Sequence, residues 1–285
     1  MKRIAITLFV IFQVVIAANL NAQSYKVYSQ PEDKAVFEKY LSVMKDKENQ
    51  PVDKLIIETA KFFLSVPYVA HTLELEPEGL VINLRGLDCT TFVETVIALS
   101  KTIKGGEPTF EKFAENLAFL RYREGKITGY QDRLHYTTDW MFENEKKGIL
   151  NRIIQRPEWE PLTVDLNIMS SNPDRYKQLA GNAELTEKMK SLEHIISSRE
   201  HFYLPSYKID SNKALFKSGD IVAFTTKIKG ADVSHMGIIF KEGNNLTFIH
   251  ASLSHKRVLV NREPLSSYLK NTKGTGIILA RILAD

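Results

Sequence analysis

The chain has 285 residues, 44% hydrophobic and 25% charged, with a formal charge of +4 and one cysteine. That length and apolar content suffice for a large core in one domain, and a single cysteine excludes an internal disulfide framework. Removing Lys2 and Arg3 with the leader described next lowers the charge from +4 to +2, which leaves no global electrostatic case for nucleic acid or an anionic membrane.

Residues 1–22 stand apart. Lys2 and Arg3 precede an apolar run from Ile4 to Ala18, and Asn21-Ala22-Gln23 offers a small residue for cleavage, so a secretory signal is expected. Residues 23–285 then form a single domain. The run is short for a bilayer span, and no later segment approaches the ~20 apolar residues a span needs. The mature chain is expected to be soluble, without a membrane span, and monomeric.

Apolar residues return every three or four positions over Pro31–Met44 and Val52–Leu64, predicting a packed pair of amphipathic helices. Pro67 breaks the second. A short strand is expected at Leu80–Leu84. A helix should open at Asp88-Cys89, carry Phe92, Val93, Val96, Ile97 and Ile103 on helical spacing, and end at Gly105-Gly106. Further helices are read at Thr109–Arg123, Asp132–Glu145 and Ala183–Arg199, with a strand at Thr163–Met169. After Pro205 the pattern alternates, predicting strands at Asp220–Phe224, Ser234–Phe240, Leu246–Ala251, Arg257–Asn261 and Gly276–Ile282. Helices first and an antiparallel sheet last is an α+β arrangement.

The lone cysteine of an exported chain needs an explanation. Cys89 in a first helical turn meets unpaired N–H groups and the positive end of the macrodipole, which favour a thiolate; Asp88 opposes it, so a cationic partner is required. The plain alternative is a small buried cysteine behind an ordinary cap. Of seven histidines, His235 and His250 fall on adjacent predicted strands. With an even-numbered hairpin loop centred between Glu242 and Gly243 they lie directly opposite one another, and an odd loop puts them on opposite faces. Gly237 leaves room for another element to approach the sheet. A nucleophile at a helix N-terminus, a strand imidazole as base and a second polar group orienting it follow triad logic. Taken singly, each histidine is equally a satisfied half-buried side chain. No His-Glu-x-x-His or comparable ligand set occurs, so no metal and no cofactor are expected.

Tyr68 after Pro67, Asp88-Cys89 opening a helix, His235-Met236-Gly237-Ile238 and Ile249-His250-Ala251 together resemble the NlpC-type superfamily of papain-like bacterial cell-wall hydrolases. Leu87-Asp88-Cys89-Thr90-Thr91-Phe92-Val93-Glu94, with Arg133-Leu134-His135-Tyr136 and Asp139-Trp140, resembles its N-acetylmuramoyl-L-alanine amidase-like branch. The resemblance implies a papain-like fold, with the helix bearing Cys89 packed on the C-terminal antiparallel sheet. It implies Cys89 as nucleophile, His235 as base, His250 as orienter and Tyr68 lining the site. It further implies a periplasmic enzyme acting on peptidoglycan fragments (muropeptides). Thr90-Thr91-Phe92 replaces the usual Ser-Gly-Leu, and Ala70-His71 replaces the usual glycines. The segment 105–205, absent from minimal members, reads as a mainly helical insertion. Its arginines and aromatics suit stem-peptide carboxylates and sugar faces, and Arg133, His135, Tyr136 and Trp140 are the expected substrate contacts. An amphipathic helix burying Leu134, Trp140 and Met141 is the plain alternative. The polar loop Ser170-Ser171-Asn172 is either part of that cleft or a turn. Cleavage between N-acetylmuramic acid and L-alanine is the leading expectation; an endopeptidase within the stem peptide and a non-catalytic cell-wall binder are the rivals.

Overall fold

Helical periodicity dominates the first half of the chain and strict alternation the last third. In order come β1 (Val27–Tyr28), α1 (Pro31–Met44), α2 (Val52–Phe62), β2 (Leu80–Val81), α3 (Cys89–Lys104), α4 (Phe110–Arg121) and α5 (Thr137–Lys146). They are followed by β3 (Leu150–Arg152), β4 (Glu160–Pro161), α6 (Ala183–Ser197), β5 (Phe202–Pro205), β6 (Ile221–Thr225) and β7 (Val233–Glu242). β8 (Asn245–Ser252), β9 (Arg257–Val260), α7 (Leu265–Asn271) and β10 (Gly276–Ile282) complete the chain. This computed structural model describes residues 25–154, 157–272 and 274–284, and the expected leader at 1–22 lies outside them. No helix among the described residues is long and apolar enough to cross a membrane.

The main sheet runs β4-β5-β10-β6-β7-β8-β9 with antiparallel neighbours throughout, and β3 also pairs with β10. Side chains alternate between its faces. Met236, Ile238, Ile249 and Ala251 join α3 in one core, whereas Phe224, Ile239, Leu246 and Phe248 join Leu265 and Leu269 of α7 in another. A third cluster holds Tyr130, Tyr136, Leu166 and Met169 with Met189 and Ile196 of α6.

α3 is enclosed by α2, α4, β7 and β8, and its Phe92, Val93, Val96 and Ile97 are fully buried. Its start is fixed by a reciprocal cap: Thr91 N–H donates to Asp88 Oδ1 at 2.8 Å and Asp88 N–H to Thr91 Oγ1 at 2.9 Å. One turn on, buried Glu94 accepts from Arg121 Nε at 2.6 Å, and Arg121 Nη1 donates to Val81 O at 2.6 Å, tying α3 to α4 and β2.

Several expectations are revised. Residues 105–205 carry α4, α5 and α6, as the helical expectation had it, and also supply β3, β4 and β5, of which β3 and β5 pair with β10. No strand forms over Thr163–Met169, where Leu166 makes only an isolated bridge to Gly230 and gives its N–H to Ser197 Oγ. The helix read from Asp132 starts at Thr137, because Arg133 is held extended in a bridge with Tyr122. α7 was not expected at all.

Candidate active site

Cys89 occupies the first position of α3, partly exposed. The backbone N–H groups of Met236 and Thr90 act to lower the pKa of its thiol, and Thr90 Oγ1 lies 4.0 Å from the sulfur. Met236 is held on its other side, its Sδ accepting from Thr137 Oγ1 at 3.6 Å and Thr90 Oγ1 at 3.9 Å. The thiol is therefore seated against β7 at the residue next to His235.

The β7–β8 turn is the two-residue Gly243-Asn244, with Gly243 at φ +59° and Glu242 paired to Asn245. The loop is even-numbered, as the shared face required, but centred one step later than expected. His235 and His250 are thus diagonal rather than directly opposite, and the ladder's last pair before them is Ile238↔Ile249. Continuing that register puts Gly237 across from His250. A Cβ on Gly237 would lie 2.9 Å from the Phe248 ring, 3.0 Å from Ile249 O and 3.3 Å from His250 Cβ. The glycine makes room for the histidine partner itself, whose Nδ1 sits 2.6 Å from His235 Nε2.

The rings rest in an aromatic nest. Phe224 stacks on His235 at 5.7 Å, Phe248 lies 4.6 Å from His250, and Tyr268 of α7 approaches both imidazoles at 6.4 and 6.0 Å. Burial lowers the pKa of His235 to about 4; burial, then the charges of His235 and His255, lower that of His250 to about 3. Burial, then Asp88, raises the Cys89 thiol to about 11, against the opposing hydrogen bonds from Met236 and Thr90. Burial and Asp88 thus oppose the thiolate that the helix N-terminus favours. Tyr68, in a bridge with Leu87, is raised to about 12 by burial and then by the charges of Cys89 and Asp88.

Two cavities take in expected site residues. One, of about 440 Å³, is lined by His235, His250, Ser252, Lys256 and Tyr268. The other, of about 400 Å³, is lined by His71, His135, Tyr136, Arg175, Tyr176 and Val233. His71 and His135 thus face a different space from His235 and His250. Among the described residues no three His, Cys, Asp or Glu side chains are grouped to hold a metal.

The four expected substrate contacts separate. Arg133 is 6% exposed and committed to Glu78, Glu74 and the Leu73 carbonyl, so its guanidinium is a strut for the 73–78 loop and not a free carboxylate receptor. Trp140 is 1% exposed, buried in the core that α3 joins. His135, its Nε2 on Tyr130 O at 2.8 Å, and Tyr136, whose hydroxyl donates to Glu193, do line the second cavity. Tyr268 was missed, although Pro264 followed by Leu265, Tyr268 and Leu269 carries a helix start and i, i+3, i+4 spacing.

Residues 58–277 match a family model described as AmiA-like, N-acetylmuramoyl-L-alanine amidase-like. A solved structure named N-acetylmuramoyl-L-alanine amidase, from Bacteroides uniformis, is 44% identical with a TM-score of 0.76, covering 81% of this chain and 98% of its own. A Bacteroides fragilis structure named as a candidate xylanase is 38% identical with a TM-score of 0.74, covering 79% of this chain and 99% of its own. A Legionella pneumophila structure at 20% identity and TM-score 0.65, covering 88% and 97%, shares the fold. No curated protein sequence matches the chain.

Proposed function

Because the chain belongs to the AmiA-like, N-acetylmuramoyl-L-alanine amidase-like family, we propose that it is a papain-like, NlpC-type cysteine hydrolase of muropeptides that cuts between N-acetylmuramic acid and L-alanine. The observation that carries this reading is Cys89 at the head of α3, packed through Thr90 on Met236, next to a His235 whose Nε2 is engaged by His250 at 2.6 Å. That engagement leaves His235 Nδ1 as the nitrogen available to the thiol. Nδ1 takes the Cys89 proton as sulfur attacks the lactyl carbonyl carbon, and the carbonyl becomes an oxyanion. The Cys89 N–H, at the first position of α3, has no intrahelical carbonyl and is suited to receive that oxyanion. Collapse expels the alanine amine, protonated by His235, and leaves a thioester that water hydrolyses with His235 again as base. With His235 lowered to about 4 and Cys89 raised to about 11, proton transfer occurs during attack rather than before it.

The leader expected from the sequence supports a periplasmic enzyme. A glycosidase would need two carboxyl groups facing one space roughly 5–10 Å apart. Asp88, beside the thiol, is instead committed to capping α3.

The test is product identification by mass spectrometry on a disaccharide-peptide and on the same peptide without sugars. Free disaccharide and an intact peptide beginning with L-alanine are expected. Cleavage of the sugar-free peptide would assign an endopeptidase instead, and turnover surviving in Cys89→Ala, or loss of it to a chelator, would reject the cysteine mechanism.

A further inference from the structure

The cavity of about 440 Å³ is lined by both imidazoles of the site together with Ser234, Ser252, Lys256 and Tyr268, and Cys89 is not among its lining residues. An occupant therefore meets the His235–His250 pair without taking the place of the sulfur. The volume lies within the range of small-ligand sites.

The charge around this space is one-sided. No aspartate or glutamate lines it. Lys256, exposed in the turn between β8 and β9, makes no ion pair and no side-chain hydrogen bond among the described residues. The charges acting on His250 are those of His235 and His255, and both oppose its protonation. The pair of imidazoles ends on His250 Nε2, a buried atom without a hydrogen-bond partner among the described residues. His235 gains positive charge when it removes the thiol proton. Phe224, Phe248 and Tyr268 pack around that charge, and no carboxylate is bonded to either imidazole among the described residues.

We infer that this cavity takes a small free oxyanion, either inorganic phosphate or the carboxylate of a small acid, and that the anion supplies the counter-charge the imidazole pair lacks. This rests on the cysteine mechanism above and not on which bond is cut. An opposite charge within ~4–6 Å favours the protonated imidazole through space, so contact with Nε2 is not required. The Lys256 ammonium offers the anion charge-assisted hydrogen bonds. A neutral ligand would leave both the lysine and the transient imidazolium unopposed.

The test needs no muropeptide. Alkylation of Cys89 by iodoacetamide, an uncharged reagent, draws on the same transfer of the thiol proton to His235. Its rate is followed at fixed neutral pH against rising phosphate and, separately, rising acetate, in the wild-type protein and in Lys256→Asn. Asparagine tolerates the left-handed backbone at position 256, where φ is +56°, so the turn is kept. A saturable rise of about tenfold is expected in the wild type, the lower end of what a counter-charge at that distance gives, and it should be lost in Lys256→Asn. Saturation by either anion supports the site and names its source. No rise, a rise without saturation, or an equal rise in Lys256→Asn overturns it. Failure of the functional reading looks different: the anion would still saturate the alkylation rate while no N-acetylmuramic acid was released from a muropeptide.

Discussion

For His235 to take the thiol proton on Nδ1, its Nε2 must carry hydrogen and donate to His250 Nδ1. His250 then bears its own proton on Nε2, a buried atom without a hydrogen-bond partner among the described residues. A buried unsatisfied donor costs roughly 1–3 kcal/mol, and an N–H over an aromatic ring recovers only a fraction. The orientation of His250 therefore depends on packing by Phe248 and Tyr268 more than on polar contact. His235→Ala should fall nearly to the level of Cys89→Ala, a loss of at least about 10²-fold in kcat, with His250→Ala milder. Tyr268→Phe, which keeps the ring, should retain most activity, whereas Tyr268→Leu should lower kcat more than KM. Steady-state kinetics of the four variants check this, and a Tyr268→Leu loss confined to KM would make the tyrosine a substrate contact instead.

At the scale of elements, the site depends on where β7 and β8 part. Their ladder stops at Ile238↔Ile249, and Gly237 opposite His250 lets the imidazole cross. Gly237→Ala must push Phe248 or the strand backbone away, so it should lower kcat well beyond its effect on stability, which paired turnover and melting measurements will separate. The core end of α3 behaves differently. Glu94→Gln leaves Arg121 buried without its charge partner, and breaking such a pair costs about 3–5 kcal/mol, visible as a lowered denaturation midpoint. Long elements were readable from sequence because their period is the packing constraint: α1 and β10 fall on the expected bounds. β4, at two residues, is too short to show a period, and β3 and β5 owe their existence to β10. Cys89, His235 and His250 were legible as rare chemistry on regular elements. The commitments of Arg121 and Arg133 were not, since Glu94, Glu74 and Glu78 lie far off in sequence and only the fold brings them together.

Across the whole molecule, buried titratable groups set the range of pH over which the fold holds. His135 and His250 are lowered to about 3 and His235 to about 4, in each case first by burial, and His201 is lowered for the same reason. An unfolded histidine titrates near ~6.5. Below that pH the unfolded chain takes up protons that the folded chain refuses, so stability is full above about pH 6.5 and declines as pH falls toward 3–4. Buried Asp232 acts in the opposite sense, because burial raises it and its protonation in acid favours the folded state. The three strongly lowered histidines should outweigh it over pH 4.5–6.5, where an unfolded carboxyl near ~4 is already mostly ionised. The melting temperature should therefore drop between pH 7 and pH 4.5. His135→Gln, which retains a donor for Tyr130 O but removes the titration, should shrink that drop even if it lowers the melting temperature at pH 7. Calorimetric scans of both proteins at the two pH values decide the matter. An unchanged difference would mean that His135 takes up its proton in the folded state through local opening, and that the acid sensitivity resides in the His235–His250 pair.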